Sequence, residues 1–385
     1  MILVLRQDCT REEVAYAEKR LKELGLEPHT LFGVERTVIA AIGDERKTSV
    51  DQLSQIPGVD TVMPILAPYK LASKESHPTT SVFEIGGECD AGASTALDNC
   101  GAGGSSALVS CGARGSPALG ATQPPLKPAP RRSNTIEFGG KKIPFIAGPC
   151  SVEGRTQIIE AAHAVQEAGA SGLRAGAFKP RTSPYQFQGL AEEGLEYLAE
   201  ARDATGLPII TEVLTPADVP LVAKYADVLQ IGTRNMQNFL LLRACGAART
   251  PVLLKRGMSA TLEEYLLAAE YILAGGNPRV LLCERGIRTF ENYVRNTFAL
   301  AMVPALKEKS HLPVLADPSH GTGVRKFVPP MTKAAVACGA DGILIEVHPD
   351  PEKALTDGAQ TISVKDFAKL VKECRAVAEA VGRAV

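Results

Sequence analysis

PVLLKRGMSATLEEYLLAAEYILAGGNPRVLLCERG (251–286) reads as one complete strand–helix–strand unit. PVLLKRG (251–257) and RVLLCERG (279–286) are short apolar runs that stop at charged residues, and TLEEYLLAAEYILAGG (261–276) between them has helical periodicity. Short apolar runs that alternate with helical patterns indicate βαβ units and a parallel sheet. Working outward, six further runs have the same form: KKIPFIAGPCS (141–151), GLRAGAFKPRTS (172–183), LPIITEV (207–213), VLQIGTRN (228–235), LPVLADPSH (312–320) and GILIEVHP (342–349). TQIIEAAHAVQEAG (156–169) is another helical segment between two of them. Eight such units predict an α/β fold, a closed (β/α)8 TIM barrel over 136–385, whose chemistry lies at the C-terminal ends of the strands. Each apolar run ends at a charged, metal-ligating or phosphate-binding type of residue, which points directly to an active site.

The 250 residues from 136 to 385 suit one barrel, so the rest of the 385-residue chain forms something else. A formal net charge of −1 gives no whole-chain pull toward nucleic acid or membrane. Tryptophan is absent and aromatic residues are 5%, which argues against a stacking platform for single strands. MILVLRQD at the start is too short an apolar run for a signal peptide, and no run is long enough to span a bilayer. Nine cysteines, scattered and odd in number, fit a reducing, cytoplasmic location better than a disulfide framework.

Residues 1–70 read as a separate domain. ILVLR (2–6) is a strand, REEVAYAEKRLKELG (11–25) an amphipathic helix starting after Thr10, and PHTLFG (28–33) and TVIAAIG (37–43) are two more strands. A helix near SVDQLSQI (49–56) and a strand at VDTVMPI (59–65) complete a βαββαβ, ferredoxin-like order with no catalytic constellation. Residues 71–135 read as a linker. It contains an 11-residue tandem repeat, ECDAGASTALD (88–98), NCGAGGSSALV (99–109) and SCGARGSPALG (110–120), followed by PPLKPAPRR (124–132). So much Gly, Ala, Ser and Pro cannot offset the entropy of ordering, and a flexible, disordered insert is expected. Cys89, Cys100 and Cys111 recur in register, but without CxxC spacing or a histidine they make a poor metal site. VFEIGG (82–87) and TIEFGGKKI (135–143) look like strands, and the Gly139–Gly140 turn in the second suggests a hairpin closing the bottom of the barrel.

Closing the barrel brings the eighth strand beside the first. Cys150 ends the first strand, His320 follows the seventh, Glu346 ends the eighth and Asp357 lies in the loop after it. One thiolate, one imidazole and two carboxylates suit a first-row divalent metal, Mn, Fe, Co or Zn. His348 is a nearby competitor, left out because it lies two residues past Glu346 in a loop turned by Pro349. The other side of the mouth is basic: Arg174, Lys179 and Arg181 after the second strand, Arg234 after the fourth, Lys255 after the fifth and Arg285 after the sixth. Cations aimed into one concavity repel one another unless an anion shares them, and arginine forks suit phosphate and carboxylate. A small substrate carrying those groups follows.

GPCS (148–151), LRAGAFKPRTSPYQFQG (173–189), IGTRNMQN (231–238), LLKRG (253–257), CERGIRTFE (283–291), DPSHGTG (317–323) and EVHPDPEKALTDG (346–358) together resemble 3-deoxy-D-arabino-heptulosonate 7-phosphate (DAHP) synthase. Residues 1–70 resemble the N-terminal regulatory domain of one subgroup of that family, whereas the repeat at 88–120 is foreign to it. The resemblance implies condensation of phosphoenolpyruvate with erythrose 4-phosphate and water, with release of phosphate, at the entry to the shikimate pathway. It implies Cys150, His320, Glu346 and Asp357 as metal ligands. Arg174, Lys179, Arg234, Lys255 and Arg285 match the phosphoenolpyruvate site, and Arg181 with Thr182 matches the erythrose 4-phosphate contact. Cys150 and His320 are thereby catalytic candidates, and Lys179 is the candidate for proton transfer to the new alkoxide. An aromatic amino acid is the expected inhibitor at the N-terminal domain, and a homo-oligomer, dimer or tetramer, is expected. The nearest rival, 3-deoxy-D-manno-octulosonate 8-phosphate synthase, resembles KANRS where this chain has KPRTS (179–183). A Schiff-base aldolase using Lys255 and a non-catalytic sensor of phosphorylated metabolites are the remaining alternatives.

Overall fold

The computed structural model describes residues 1–33, 36–43, 48–63, 68–89, 131–181 and 183–385. Residues 90–130, which hold most of the tandem repeat, lie outside the described residues, as does Thr182.

The N-terminal domain runs β1 (Ile2–Leu5), α1 (Arg11–Glu23), β2 (Glu27–Phe32), β3 (Thr37–Ile42), α2 (Val50–Ser54) and β4 (Val59–Met63). The sheet order is β2-β3-β1-β4, every pair antiparallel, which is the expected ferredoxin-like arrangement. Both helices start on capping boxes, Thr10 with Glu13 and Ser49 with Gln52, in which side chain and backbone satisfy each other's free donors. Leu3, Leu5, Ile39 and Ala41 on one face of the sheet pack with Val14, Ala17, Leu21 and Leu53 from the helices.

The barrel strands are β7 (Phe145–Gly148), β8 (Gly172–Arg174), β9 (Ile209–Val213), β10 (Val228–Ile231), β11 (Val252–Lys255), β12 (Val280–Glu284), β13 (Val314–Ala316) and β14 (Gly342–His348). Each pairs in parallel with the next, and β14 pairs with β7 to close the ring. Between them run α3 (Arg155–Glu167), α4 (Ala191–Thr205), α5 (Val219–Tyr225), α6 (Phe239–Ala248), α7 (Leu262–Ala274), α8 (Met302–Lys309), α9 (Pro318–Thr322) and α10 (Val328–Ala337), with α11 (Val364–Ala380) after the barrel. Along a strand alternate residues face opposite sides. Ile146, Ile210, Val228, Leu253, Leu281, Leu315 and Leu344 form the inner layer, while their neighbours Ala147, Ile209, Leu229, Leu254, Leu282, Val314 and Ile345 pack outward under the helices. Among the described residues no helix is long and apolar enough to cross a membrane.

The bottom of the barrel is closed by β5 (Phe83–Cys89) and β6 (Arg131–Phe138), paired antiparallel as Phe83↔Phe138 and Ile85↔Ile136. Those four side chains complete the inner core. The expected closure is therefore present, but its partners differ: the strands flanking the insert pair with each other, and 135–143 does not fold back on itself. Gly139, at φ +85°, is the exit from β6, and a Cβ there would lie 2.1 Å from the Ser81 carbonyl oxygen. The expected linker boundaries move accordingly, since 83–89 and 131–135 belong to this hairpin.

The start of the expected linker is also anchored. The Glu270 carboxylate on α7 accepts the N–H groups of Lys70, Leu71 and Ala72 at 3.0, 2.8 and 2.9 Å. His311, buried after α8, contacts the Leu71 carbonyl through Nε2 at 2.7 Å and Ser81 Oγ through Nδ1 at 2.7 Å. Nε2–H donates to the carbonyl, which leaves Nδ1 to accept from the serine. Burial pushes the His311 pKa down to about 4, with the Leu71 bond opposing and the nearby His77 ring adding to the fall.

A histidine whose folded pKa lies below its unfolded value contributes stability above the unfolded pKa and loses it as pH falls toward the folded one. Stability should therefore decline by up to about 3 kcal/mol between pH 6.5 and 4 on account of this residue. Denaturant unfolding at pH 7 and pH 4 should show that part of the acid loss missing from His311→Gln.

Candidate functional site

The same period of two that fills the barrel carries the chemistry. Two residues beyond the inner layer come Arg174 on β8, Glu212 on β9, Gln230 on β10 and Lys255 on β11; Arg285 follows Cys283 of β12, Asp317 follows Leu315, and Glu346 follows Leu344. Each takes the inward direction of the residue two before it, an apolar side chain in every case but Gly172 before Arg174. A cavity of about 410 Å³ opens there, lined by Arg174, Lys179, Arg181, Arg234, Lys255 and Arg285, with His320 and Asp357 on the opposite side. Every described candidate for substrate binding thus meets in one concavity.

Burial forces most of these charges into pairs. Arg174 donates to Glu346 Oε1 at 2.7 Å, and Lys255 to Asp317 Oδ2 at 2.6 Å. Burial opposes ionisation of Glu346, but His320 and Arg174 hold its pKa below the usual carboxylate range. Asp317 is likewise driven well below that range against its burial, by His320 and Lys255. Arg285 is different: it is buried, and among the described residues its Nη1 donates to the Gly286 carbonyl at 3.2 Å while its Nε has no hydrogen-bond partner. Burial depresses its pKa, and an anion in the cavity would reverse that penalty. Lys255, buried and held by Asp317, is suited to charge binding and not to imine formation, which needs a neutral amine.

On the other side the donor atoms of Cys150, Glu346 and Asp357 all lie within 4.8 Å of one another. His320 stands beside them, Nε2 3.4 Å from Glu346 Oε1, while Nδ1 contacts Asp317 Oδ2 at 2.7 Å. The short helix α9 sets this ring, because Asp317 caps it through the His320 N–H at 3.0 Å. A second group holding the far nitrogen of a ligating histidine is a common support in metal sites. Gln360 donates to Glu346 Oε2 at 2.6 Å and plays the same part for the carboxylate. Soft and hard donors mixed in this way, with their outer partners in place, fit a divalent transition metal.

Cys150 Sγ lies 3.2 Å from Asp357 Oδ2 and 2.9 Å from Lys179 Nζ. Burial raises the thiol to about 11, with Glu346 adding and Lys179 opposing. Asp357, despite its burial, is brought down to about 2 by His320, the Cys150 hydrogen bond and Arg295.

Several lining residues were not anticipated. Glu212 and Gln230 share the inward parity of the expected residues, as does Asp317, which pairs with Lys255; all three stand inside the quoted runs, so period-two counting would have found them. Arg288, Arg295 and Asn296 come from the long loop between β12 and α8, where no periodic pattern marks direction.

The DAHP synthetase I family model matches residues 127–381, and the DAHP synthase ferredoxin-like domain model matches residues 1–67. The chain is 44% identical over 382 residues to a phospho-2-dehydro-3-deoxyheptonate aldolase of Thermotoga maritima, covering 99% of each. A 2-dehydro-3-deoxyphosphooctonate aldolase of Nitratidesulfovibrio vulgaris is 36% identical over 252 residues, covering 60% of this chain and 91% of that one. Among solved structures, phospho-2-dehydro-3-deoxyheptonate aldolase (DAHP synthase) of T. maritima is 43% identical, with a TM-score of 0.69 over 100% of this chain and 98% of that one. A truncated form of 3-deoxy-D-arabino-heptulosonate 7-phosphate synthase from the same organism is 42% identical, with a TM-score of 0.65 over 82% and 99%.

If Cys150 ligates a metal, the thiol must lose its proton, so affinity should rise up to about tenfold per pH unit through the neutral range. Cys150→Ala should bind the ion far more weakly, lose that pH dependence and keep the melting temperature of the parent. Chelator-competition titrations at pH 6.5, 7.5 and 8.5 check this.

Proposed function

The chain belongs to the DAHP synthetase I family, and from that membership we infer the working of its site. The protein is a transferase that condenses phosphoenolpyruvate with erythrose 4-phosphate to 3-deoxy-D-arabino-heptulosonate 7-phosphate. One observation carries the residue-level reading: six basic residues line a single cavity with His320 and Asp357, and the donor atoms of Cys150, Glu346 and Asp357 lie within 4.8 Å of one another.

Arg174, Arg234, Lys255 and Arg285 hold the phosphate and carboxylate of phosphoenolpyruvate, which orients its C3 toward the aldehyde. This is a positioning and electrostatic role. Arg181 and Thr182 take the phosphate of erythrose 4-phosphate. Cys150, His320, Glu346 and Asp357 would hold one divalent ion, Mn, Fe, Co or Zn, which when bound supplies Lewis acidity toward the aldehyde. As C3 bonds to the aldehyde carbon, positive charge develops at C2 of the former enol, and a water adds there. Collapse of that adduct releases inorganic phosphate onto the same arginines. Lys179, whose Nζ donates to both the carbonyl oxygen and the sulfur of Cys150 at 2.9 Å, stands at the boundary of the two halves. That position suits proton delivery to the new alkoxide.

The proline and arginine of KPRTS favour the four-carbon aldose over arabinose 5-phosphate, and the full-length relative supports the same choice. Release of phosphate from phosphoenolpyruvate should require erythrose 4-phosphate; equal turnover with arabinose 5-phosphate would assign the chain to the eight-carbon reaction. Arg181→Ala should raise the Michaelis constant for erythrose 4-phosphate by about ten- to a hundredfold, the loss of one charge-assisted phosphate contact, and leave that for phosphoenolpyruvate nearly unchanged. Arg234→Ala should show the opposite preference, and initial-rate kinetics on both variants decide it.

The N-terminal regulatory domain senses an aromatic amino acid, in this reading, and shifts the balance between arrangements that leave the mouth open or hindered. Its exit is tied to the barrel by Glu270, and Lys70 Nζ reaches back to the Ala41 carbonyl at 3.1 Å, a physical route for such coupling. A dimer or tetramer completes the proposal; exposed Phe239 and Leu240 on α6, with Phe239 stacked on Tyr271, offer a surface for it. Removal of 1–70 should leave an active enzyme that tyrosine and phenylalanine no longer inhibit, and a truncated barrel with full inhibition would refute the sensing role.

A further inference from the structure

The contact between Cys150 and Asp357 is one rung of a short ladder. Cys150 Sγ meets Asp357 Oδ2 at 3.2 Å, Ser151 Oγ and Thr356 Oγ1 are 2.8 Å apart, and Glu153 Oε1 accepts the Leu355 N–H at 2.9 Å. The segment leaving β7 and the loop after β14 thus run past each other in opposite directions, fastened at three successive loop residues. Ser151 and Thr356 are buried, and the side chain of Glu153 is only 11% exposed. Its second oxygen, Oε2, faces His348 Nε2 at 3.6 Å. His348 Nδ1 accepts the Asp350 N–H at 3.0 Å, so the ring hydrogen sits on Nε2, which stands near Glu153 without a hydrogen bond to it. One carboxylate therefore holds the residues next to Asp357 through the Leu355 N–H and lies beside the His348 ring at the start of the loop.

The loop needs such restraint. Asp357 has φ +51°, a left-handed conformation that a non-glycine residue holds only where its surroundings over-determine it. The restraints after it are the Gln360 N–H and Thr361 Oγ1, which donate to its carbonyl at 3.2 and 3.0 Å. Before it, the Glu153 and Ser151 rungs hold Leu355 and Thr356, while Arg325 grips Glu352 earlier in the loop and the Gly358 carbonyl just after it.

We propose that Glu153 is a positioning residue for the metal centre: by holding the Leu355 N–H it sets Asp357 against Cys150, so that both can act on one ion. The inference rests on the reading of Cys150, His320, Glu346 and Asp357 as a metal site, and its test separates the two. Mn(II) is titrated into full-length wild type, Glu153→Ala, Glu153→Gln and Cys150→Ala, with free ion followed by electron paramagnetic resonance. Hydrogen exchange over 350–358 is measured on the same proteins in chelator.

Glu153→Ala is expected to bind Mn(II) about ten- to a hundredfold more weakly, as loss of an outer-shell partner commonly does. Its 350–358 segment should exchange faster, while the Michaelis constant for phosphoenolpyruvate stays at the wild-type value. Glu153→Gln keeps an oxygen for the Leu355 N–H and should recover most of the affinity. Should Glu153→Ala fail to fold, Glu153→Asp, which keeps the charge but shortens the reach, is expected to weaken binding in the same direction. Wild-type affinity and exchange in Glu153→Ala or Glu153→Asp, or a Glu153→Gln as weak as the alanine variant, overturns the positioning role. Wild type that takes up no Mn(II), or Cys150→Ala that takes it up undiminished, overturns the metal reading instead.

Discussion

Charge held out of water at the end of a barrel has to be matched, and that requirement organises the site. Arg174 against Glu346 and Lys255 against Asp317 are each at least 95% buried pairs in hydrogen-bonding contact. Taking such charges from water costs several kcal/mol per ion, recovered only with good geometry and further hydrogen bonds. Those are present: Gln360 on Glu346, and the His320 backbone N–H and ring on Asp317. Just outside the cradle Arg256 repeats the pattern with Glu284 at 2.9 Å, fixing the strand end from which Arg285 projects. Arg285, whose Nε has no hydrogen-bond partner among the described residues, is left open to an anion in the cavity.

The pairing also joins the two halves of the mouth. Arg174 belongs by type to the anion cradle, yet it grips a metal-type carboxylate; Lys179 likewise reaches the Cys150 sulfur. A change of charge on one side is therefore felt on the other, which is what a reaction needs when carbon–carbon bond formation and phosphate release occur within one cavity. The loops contribute differently from the strands. Strand ends fix Arg174, Lys255 and Glu346 by parity, whereas Asp357 and Arg295 are held by contacts between loops, at 3.3 Å from each other.

The barrel was legible because its signal is repeated eight times and each strand is short and apolar. Position carried the reading from the fold to the site: Arg174, Lys255, Arg285 and Glu346 stand where the apolar runs stop, at the strand ends where a barrel keeps its chemistry, and that is why they could be named. What escaped has physical reasons. Pairing of β5 with β6 spans the insert, and local turn chemistry at Gly139–Gly140 says nothing about partners that distant in sequence. The anchoring of 70–81 depends on Glu270 and His311, single polar residues whose roles exist only once α7 and the end of α8 are in place. Arg288 and Arg295 lie on a loop that has no period to count.

The central claim is that the basic side of the mouth is a preformed cradle for phosphate and carboxylate, completed by the ligand's charge. Calorimetric titration of phosphoenolpyruvate in the presence of chelator, with wild type and Arg285→Met compared at two salt concentrations, tests it most directly. Wild type should bind phosphoenolpyruvate less tightly as salt is added, and the methionine variant should lose about ten- to a hundredfold from one missing charge-assisted contact. Equal binding by the two proteins would contradict it.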